Sequence, residues 1–568
     1  MHIHIVPNRG SPPTVLLRES YRQGKKVGKR TLANLSDLSA AQIEAIRAAL
    51  RGETLQPSAQ RFEVTASRSH GHVQAVALTM QRLGLASLLA SKPCEERDRV
   101  LAMVGSRILA PHTKLATTRW WHTTTLALDF GVANADEDDL YEAMDWLLER
   151  QEAIQKKLAA RHLITGGMVL YDLSSSYFEG SCCPLGKLGY NRDGKRGLLQ
   201  VNYGLLTDAR GCPVVVSVYE GNVADSKTLM PEIKRLRKDF GIEQLVMVGD
   251  RGMISSKAIE ELRETEGIAW ITALKSVSIR VLVEQGQLQL GLFDDRNLVE
   301  LVSPDYPGER LIACRNPELA RLRAHKREAL LCATEGNLAK IKTRVDAGKL
   351  KGRDKIGVRV GKLIDQYKMA KHFELTIDEN AFSFARKQDH IAAEAALDGI
   401  YIIRTSVSAA QMDAPQCVRN YKSLANVERA FRSLKTIDLK VRPIHHRTAN
   451  RVRAHIFLCM LAYYVEWHMR EAWRELMFAD EDQNAKQERD PVAPAVRSAP
   501  AKQKARSHVL ADGSPAHSFR TLLDDLATIV RNTCRVPGEQ TSNGNFTIDT
   551  TPSNKQRQAL ELIETINV

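Results

Sequence analysis

The sequence predicts a mixed α/β protein, in which a sheet with flanking helices follows a helical N-terminal region and is interrupted by an insertion. Three observations support this fold class. Residues 166–275 read as three consecutive strands, then a helix, a strand, a helix and a strand. The segment DGIYIIRTS, near residue 400, resembles a return to the same sheet. The interval between them, residues 280–396, has a different pattern and therefore interrupts the sheet.

The composition indicates a globular protein with a polyanionic partner. Of the 568 residues, 43% are hydrophobic and 26% charged, which excludes disordered, collagenous and disulfide-scaffold proteins. Lys and Arg number 81 against 67 Asp and Glu, and the net charge of +14 favours nucleic acid or an anionic membrane surface. The longest uninterrupted apolar run, Ile456–Val465, is far shorter than the roughly 18–20 residues that span a bilayer. The first ten residues also lack the apolar core of a signal peptide, so nucleic acid is the favoured partner.

The nine cysteines are scattered along the chain, and none forms a CxxC pair. Adjacent Cys182 and Cys183 are poorly spaced for zinc ligands. We interpret the cysteines as reduced thiols of a cytoplasmic protein, with a structural zinc site as the open alternative.

The first 165 residues divide into two predicted regions. Residues 1–60 form a small β unit, because the runs IHIVP, TVLLRESYR and KVGKRTLANL are separated by turn residues. A short helix from Ser36 to Arg51 has Ser39 as its N-cap. Residues 61–165 are predicted to be helical, since apolar residues recur there at three- to four-residue spacing.

The rest of the chain divides into five predicted segments. The sheet is expected in two parts, residues 166–279 and 397–478, and the second part includes the helix APQCVRNYKSLANVERAFRSLKT. The insertion, residues 280–396, is predicted to hold strand material at VSIRVLVEQGQLQLGLF and HFELTIDENAFSFARK, with a long basic helix between them. Residues 479–510 are polar and rich in Pro, Ala and Lys, which is typical of a mobile linker, and residues 511–568 are predicted to be helical.

Three acidic residues lie where a site at the edge of the sheet is expected. Asp172 comes at the polar end of one strand, Asp250 ends another, and Glu428 lies on a basic helix. Open α/β sheets commonly place their sites at the carboxyl ends of strands. Three converging carboxylates repel one another unless a cation joins them, and Mg²⁺ prefers such hard oxygen ligands. Two such ions can activate a nucleophile and stabilise the leaving oxygen of a phosphodiester.

Each acidic residue also has a simpler interpretation. Asp172 could cap the turn of serines that follows it, and Asp250 could be a turn residue in GDRG. Glu428 could pair with Arg432 along its helix. These interpretations are favoured for each residue taken singly, so the catalytic hypothesis depends on all three occurring in suitable strand, strand and helix contexts.

The helix around Glu428 carries further information. Tyr421, Glu428 and Lys435 are spaced by seven residues, so they lie on nearly one face, about 10 Å apart per step. An adjacent apolar stripe is expected to dock on the sheet and consists of Leu424, Val427, Phe431 and Leu434. Glu428 is therefore expected to face the edge of the sheet, with Tyr421 and Lys435 on either side of it.

With these residues, the chain resembles a DDE transposase of bacterial insertion sequences, in the subgroup with a Y-x2-R-x3-E-x6-K motif around the last glutamate. The motif here reads Tyr421, Leu424, Glu428 and Lys435, so leucine stands where the pattern has arginine. The stretches GYNRDGKRGLLQVNYGLLTDARGCPV and VGDRGM resemble the blocks after the first aspartate and around the second. The resemblance covers roughly residues 160–470.

The resemblance implies a ribonuclease H-like fold in which Asp172, Asp250 and Glu428 are catalytic and hold two Mg²⁺ ions, or Mn²⁺ in their place. It implies cleavage at each element end and attack of the freed 3′-hydroxyl on target DNA; a hairpin intermediate stays open. The implied partners are the terminal inverted repeats, target DNA and a second copy of the chain on DNA, in the cytoplasm at the bacterial nucleoid. Residues 61–165 are then a region for DNA binding and dimerisation.

A basic segment surrounds the third carboxylate. Cys417 to His455 contains ten Lys and Arg residues against two acids, a net charge of +8. We expect it to bind phosphates with a steep salt dependence, although a basic run can also be a solvated face. A glycine-rich loop after the first strand is expected to contribute two more cations, with an ordinary turn around Asp193 as the alternative. The residues predicted to bind DNA are Tyr421, Arg429, Arg432, Lys435, Lys440, Arg442, Arg447, Lys195 and Arg196.

Two other functions are retained as alternatives. A ribonuclease H-like DNA nuclease without strand transfer has the same three carboxylates, so they do not separate it from a transposase. A non-catalytic DNA-binding protein derived from a transposase is disfavoured by the intact carboxylates.

Overall fold

The computed structural model describes residues 1–53, 62–180, 182–195, 197–293, 296–483, 488–535 and 545–568. They form two compact units: the first comprises Met1–Arg68 and Val530–Thr551, and the second Ser69–Ile529 and Pro552–Val568. The combination of helices with a large mixed sheet confirms the predicted α/β class. No helix in these ranges is long and apolar enough to cross a membrane.

The strands are numbered along the chain. They are β1 (His2–Val6), β2 (Thr14–Gln23), β3 (Lys26–Asn34), β4 (Glu63–Ser69), β5 (Met168–Tyr177), β6 (Gln200–Asp208), β7 (Pro213–Glu220), β8 (Leu245–Val248), β9 (Ile268–Ala273), β10 (Leu298–Leu301), β11 (Arg310–Arg315), β12 (Phe373–Ile377), β13 (Phe382–Arg386), β14 (Ile400–Thr405), β15 (Val530–Arg535) and β16 (Asn545–Asp549).

The α-helices are numbered in the same way. They are α1 (Ala40–Leu50), α2 (Gly71–Arg82), α3 (Leu85–Leu89), α4 (Glu95–Leu109), α5 (Lys114–Trp121), α6 (Leu126–Asp129), α7 (Glu137–Glu149), α8 (Gln151–His162), α9 (Leu229–Lys238), α10 (Ser256–Arg263), α11 (Ser276–Glu284), α12 (Pro317–Asp346), α13 (Arg353–Gln366), α14 (Gln388–Ala395), α15 (Ala414–Lys422), α16 (Leu424–Arg432), α17 (Ala449–Ala472), α18 (Ala499–Ser507), α19 (Phe519–Leu526) and α20 (Asn554–Glu564).

The first unit contains two small sheets. Strands β1, β2 and β3 form an antiparallel sheet in that order, and the three strands are those predicted from the sequence. Helix α1 begins after Ser39, which is the predicted N-cap. The Ser39 Oγ accepts from the Gln42 N–H at 3.3 Å, and the Gln42 Oε1 accepts from the Ser39 N–H at 2.9 Å, so the two residues form a capping box.

The second sheet of the first unit shows that the helical prediction for residues 511–568 is wrong in part. This region holds α19 and α20, but also β15 and β16, which form a sheet with β4 in the order β16-β15-β4. The partner of β15 therefore lies more than 460 residues earlier in the chain. Strands that pair over such a distance leave no local sequence pattern that identifies their partner.

The second unit is organised around an eight-stranded mixed sheet. Its order is β10-β11-β14-β9-β8-β5-β6-β7. The β5–β8 and β8–β9 pairs are parallel, and the other neighbours are antiparallel. Strand β14 returns to this sheet as predicted for DGIYIIRTS. The sheet therefore brings residues from both sides of the insertion together.

Helix α17 forms the centre of the second unit. Almost every side chain from Val452 to Met469 is buried, so the helix has no polar face, as expected for a helix enclosed on all sides. It packs against α4, α7 and β7, and so joins the helices between Gly71 and His162 to the sheet.

The insertion consists of two different parts. Strands β10 and β11 extend the main sheet, whereas α12, α13 and the β12–β13 hairpin enclose a separate core that includes Leu338, Ile356 and Phe382. The first and last residues of the second part lie side by side, because the Asn316 N–H donates to the Gly399 carbonyl at 2.9 Å. Gly399 has a φ of +77°, and a Cβ there would clash with the Asn316 carbonyl.

Two local predictions are corrected by the structure. The run VSIRVLVEQ, predicted as strand, lies largely in α11, because Ile279 and Leu282 on one face are buried while Val277 and Val281 face solvent. The predicted linker contains α18, which begins after the N-cap Ser498 and has Pro500 in its first turn. The β-branched residues of the first run favour a strand and the composition of the second favours a linker. Both runs are nevertheless helical in the structure.

Candidate active site

Two of the predicted acidic residues lie in or just beyond neighbouring parallel strands: Asp172 within β5, and Asp250 two residues after β8. In the β5–β8 pair, Leu170 is opposite Val248. Continuing this register by two residues along each chain brings Asp172 level with Asp250. The parallel pairing therefore places both aspartates in one part of the sheet.

Asp172 lies inside β5 rather than at its end, because β5 continues to Tyr177 along β6. The serines that follow it are part of the strand, so the alternative role of capping a turn does not apply. The Oδ1 of Asp172 accepts from the Leu173 N–H at 2.8 Å. Burial, followed by the negative charges of Asp250 and Glu428, raises the pKa of Asp172 to about 7, against the opposing effects of that hydrogen bond and of Arg192.

Asp250 combines a turn role with its place beside Asp172. It is the second residue after β8, and its Oδ1 accepts from the Gly252 N–H at 3.0 Å and the Met253 N–H at 2.8 Å. These bonds fix the carboxylate relative to the end of the strand. The simpler interpretation of Asp250 as a turn residue is thus correct, and it does not exclude a place in the site.

Glu428 is held on the exposed side of α16. The opposite side of this helix docks on the sheet as predicted: Val427, Phe431 and Leu434 are buried, and the Phe431 ring lies edge-on to Tyr203 of β6 at 5.7 Å. The predicted continuous helix is divided into α15, α16 and a π-helical turn over Ser433–Ile437. Across the described part of the chain, Glu428 forms no ion pair with Arg432, so the alternative interpretation of Glu428 does not apply.

The three carboxylates are neighbours but are not drawn tightly together. Besides burial, the charges of both Asp250 and Glu428 raise the pKa of Asp172. Among the described residues, however, the one set of three potential ligand groups whose atoms all lie within 4.8 Å of one another is His162, Cys212 and His468. The carboxylate group is therefore more open than a closed three-ligand metal site.

Tyr421 faces the same group of carboxylates. Burial, followed by the negative charges of Asp250, Glu428 and Asp172, raises the pKa of Tyr421 to about 12, so its phenol is neutral near pH 7. The charge of Arg251 acts in the opposite direction. The residue predicted to bind DNA is thus positioned beside the acidic cluster, half-buried rather than on an open face.

Lys435 and Arg442, two further residues predicted to bind DNA, pair with a buried aspartate. The Asp193 side chain is 2% exposed; its Oδ1 accepts from Lys435 Nζ at 3.1 Å and forms an ion pair with Arg442, and its Oδ2 accepts from the Tyr177 N–H at 3.0 Å. These contacts hold the loop that contains Asp193 against β5. The next residue back, Arg192, pairs with Asp225 and lies near Asp172.

Five of the remaining residues predicted to bind DNA are exposed, and one lies outside the described residues. The exposed ones are Arg429, Arg432, Lys440, Arg447 and Lys195. The Lys195 ammonium lies 5.8 Å from the Tyr177 ring centroid. Arg196 lies outside the described residues. The sequence did not predict the buried pairing of Asp193, whose turn was one of two open interpretations, or the convergence of His162, Cys212 and His468, which no local spacing indicates.

Two family models match the chain. Residues 179–465, just over half of it, match a model described as "Transposase DDE domain", and residues 3–62 match one described as "IS1634 family transposase, N-terminal domain". Asp250 and Glu428 lie inside the first match, and Asp172 lies shortly before its start.

The other comparisons are weaker. No curated protein matches the chain significantly. Among solved structures, a cryo-EM structure of the piggyBac transposase synaptic complex with hairpin DNA is similar over 80% of this chain and 76% of that chain, with 9% sequence identity and a TM-score of 0.34. A TM-score this low carries no argument about fold or function.

Proposed function

The chain belongs to the transposase DDE domain family, and from this premise we propose that it cleaves the ends of an insertion sequence and transfers their 3′-hydroxyl groups into target DNA. Asp172, Asp250 and Glu428 are the proposed catalytic residues and the ligands of two divalent ions. The match of residues 3–62 to an insertion-sequence transposase domain supports element ends as the substrate.

One observation carries this proposal. Carboxylates from β5, from the turn after β8 and from α16 are neighbours: burial raises the pKa of Asp172 most, and the charges of Asp250 and Glu428 raise it further. Burying an ionised carboxylate beside two others destabilises the fold, and a divalent cation bound among them offsets that cost.

The donor set fits the proposed ions. Mg²⁺ and Mn²⁺ prefer oxygen ligands and keep several waters, and three carboxylates in an open arrangement leave room for those waters. Two such ions supply an activated water or hydroxyl and stabilise the leaving oxygen of a phosphodiester.

The protein's own residues position the reacting groups. Asp250 is fixed by the Gly252 and Met253 N–H groups, and Asp172 by the strand that contains it. Arg192, which pairs with Asp225, brings a positive charge near Asp172 and favours its ionised form. Tyr421 keeps a neutral hydroxyl beside the cluster, available to donate to a phosphate oxygen.

The DNA is proposed to lie across α16 and the turn that follows it. The exposed cations there are Arg429, Arg432, Lys440 and Arg447, and Lys195 adds a charge from the loop after β5. Arg196, outside the described residues, stays a proposed DNA contact on the sequence alone. Lys435 and Arg442 act on this surface indirectly, because they hold Asp193 and the loop around it. Two element ends have to be joined, so a dimer of the chain on DNA is proposed.

The strands around the carboxylates support the proposed ribonuclease H-like core. Within the sheet order, β7-β6-β5 are antiparallel neighbours and β5-β8-β9 are parallel neighbours. We propose that this five-stranded part, with α15, α16 and α17, is the catalytic domain, divided by the insertion. The helices between Gly71 and His162 are proposed to bind DNA or the second copy of the chain.

The test uses full-length protein and labelled DNA fragments containing the sequences that flank the gene on either side. With Mg²⁺ or Mn²⁺, Asp172→Asn, Asp250→Asn and Glu428→Gln should each lower end cleavage by about 10³-fold or more while end binding persists. Glu260→Gln, which changes an exposed carboxylate on α10, is the matched control and should cleave normally. Normal cleavage by any of the first three variants removes that residue from the site.

A second readout separates transposition from simple nuclease activity. The cleaved fragments are incubated with a supercoiled target plasmid, and joined products are sought by sequencing. Joined ends flanked by short target duplications support the transposase. Efficient cleavage without any joining supports the nuclease alternative, and binding without cleavage supports the non-catalytic one.

A further inference from the structure

Three residues from distant parts of the chain converge at one end of the sheet. His162 is the last residue of α8, Cys212 directly precedes β7, and His468 lies near the end of α17. One ligand atom from each lies within 4.8 Å of the other two, and the Cys212 Sγ is 3.8 Å from the His468 Nε2. Cys212 and His468 are buried, and His162 is half-buried.

The separation between the ligand atoms of Cys212 and His468 fits a zinc ion. With Zn–S of about 2.3 Å and Zn–N of about 2.0–2.1 Å, tetrahedral coordination places sulfur and nitrogen about 3.6 Å apart. The Cys212–His468 separation is within a few tenths of an ångström of that value. Thiolate and imidazole are the ligands that zinc prefers in proteins, whereas Mg²⁺ prefers oxygen.

The surroundings favour coordination by both rings. His468 is buried and His162 is half-buried, so neighbouring side chains set the orientation of each ring. The His162 Nε2 lies 2.9 Å from the Tyr464 hydroxyl, which orients the ring. His468 packs edge-on against Tyr464 and Trp467, each with a centroid separation of 4.8 Å.

A cavity of about 330 Å³ opens beside the two histidines. Its other lining residues include Arg161, Arg210 and Glu471 and the chain end at residues 565–568. Both arginines have partners: Arg210 donates to Asp208 at 2.9 Å, and Arg161 donates to the Leu83 carbonyl at 2.8 Å. The cavity therefore gives a path for an ion and room for water.

We propose that His162, Cys212 and His468 bind one Zn²⁺ ion, with a water molecule from the cavity as the fourth ligand. Binding forms a bond from zinc to the Cys212 sulfur and releases the thiol proton to solvent. The ion joins the end of α8, the start of β7 and the last turns of α17, and so fixes the central helix to the sheet. It is separate from the carboxylate site, since Cys212 directly precedes β7, which lies two strands away from β5 in the sheet.

Cobalt(II) is the probe, because it replaces zinc and gives a charge-transfer absorption only when a thiolate is bound. After removal of metal by a chelator, the full-length protein should show this band, saturating at one Co²⁺ per chain, and Zn²⁺ should displace it. Co²⁺ held by the carboxylates gives no such band, so the result does not depend on the proposed transposase activity. Absence of the band in the wild-type protein overturns the proposal.

Variants identify the ligands. Cys212→Ser and His162→Gln should each abolish the band; the half-buried ring of His162 makes the second substitution the milder one for folding. Cys459→Ser is the matched control, because Cys459 Sγ is also buried and lies 4.0 Å from a histidine, His455 Nε2, on α17. The control should keep the band. Persistence of the band in Cys212→Ser or in a folded His162→Gln protein overturns the assignment, as does its loss in Cys459→Ser alone.

Discussion

Lys435 and Asp193 are joined by a hydrogen bond of 3.1 Å, although they are 242 residues apart in the chain. The lysine side chain is 11% exposed and the aspartate 2%. Burial lowers the pKa of Lys435, and the Asp193 carboxylate opposes this effect. The last residue of the sequence motif thus holds the loop that follows β5, and its charge is already paired within the protein.

Lys435→Met should therefore destabilise the fold more than it weakens DNA binding. The substitution leaves the buried Asp193 carboxylate with one cation, Arg442, instead of two, and we expect a loss of about 1–3 kcal/mol in the free energy of unfolding. The denaturant midpoint measures this. Asp193→Asn in the same background should restore part of the loss, because the unpaired charge is then removed. A Lys435→Met protein with unchanged stability would contradict the buried pairing.

Arg432→Gln should have the opposite profile. Arg432 is exposed on α16 three residues before Lys435, so its removal should change stability by less than about 0.5 kcal/mol. If its charge neutralises a DNA phosphate, end binding should weaken, and the slope of log affinity against log salt should fall by about 1. A salt titration of end binding measures both. An unchanged slope would remove Arg432 from the DNA surface.

The positions of the carboxylates could be predicted because each depends on a local pattern. The strand ending before Asp250, the strand containing Asp172 and the apolar stripe beside Glu428 are all readable within a dozen residues. The sequence could predict their convergence only from the general rule that sites lie at sheet edges. The parallel pairing of β5 with β8 in the structure shows how Asp172 and Asp250 come to lie near each other. The sequence pattern does not indicate how far apart the three carboxylates lie.

Contacts between distant residues explain what the sequence did not yield. Lys435 was assigned to DNA because a basic helix suggests phosphate, and nothing near it in sequence indicates Asp193. The pairing of β15 with β4 and the meeting of His162, Cys212 and His468 depend on equally distant partners. In α11, β-branched residues suggested a strand, but burial of Ile279 and Leu282 against the sheet determines the helix.

Asp172 predicts a pH dependence of stability. Its pKa is raised in the folded protein to about 7, above the ordinary value of 3.8, so the folded state holds this proton more tightly than the unfolded chain. Asp172 therefore destabilises the fold increasingly as the pH rises from about 4 to above 7. Without divalent metal, Asp172→Asn should be more stable than the wild type by about 1–2 kcal/mol at pH 8 and about equally stable at pH 4. The difference at pH 8 is smaller than the full pKa shift would give, because solvent screens the partly exposed Asp172.

Thermal unfolding at several pH values measures this difference. Glu260→Gln is the control and should show no such trend. Added Mg²⁺ should raise the stability of the wild type at pH 8 more than that of Asp172→Asn, because a bound cation favours the ionised carboxylate. An Asp172→Asn protein that is less stable than the wild type at pH 8 without metal would contradict the raised pKa.

The separately packed part of the insertion should be removable as a unit. Arg315 at the end of β11 and Ile400 at the start of β14 are antiparallel partners, and only Asn316 and Gly399 separate them from residues 317–398. Deleting 317–398 joins these two residues into an Asn-Gly pair, which is the preferred two-residue loop for such a hairpin. We expect the shortened protein to fold, with the main sheet and the carboxylate site retained.

Deleting only α12, residues 317–346, is the control: it uncovers the apolar faces of α13 and the hairpin, including Ile356 and Phe373, and should give aggregation. Solubility, circular dichroism and the pH dependence due to Asp172 report the outcome, and equal loss of folding in both deletions would mean that the insertion is part of the main core.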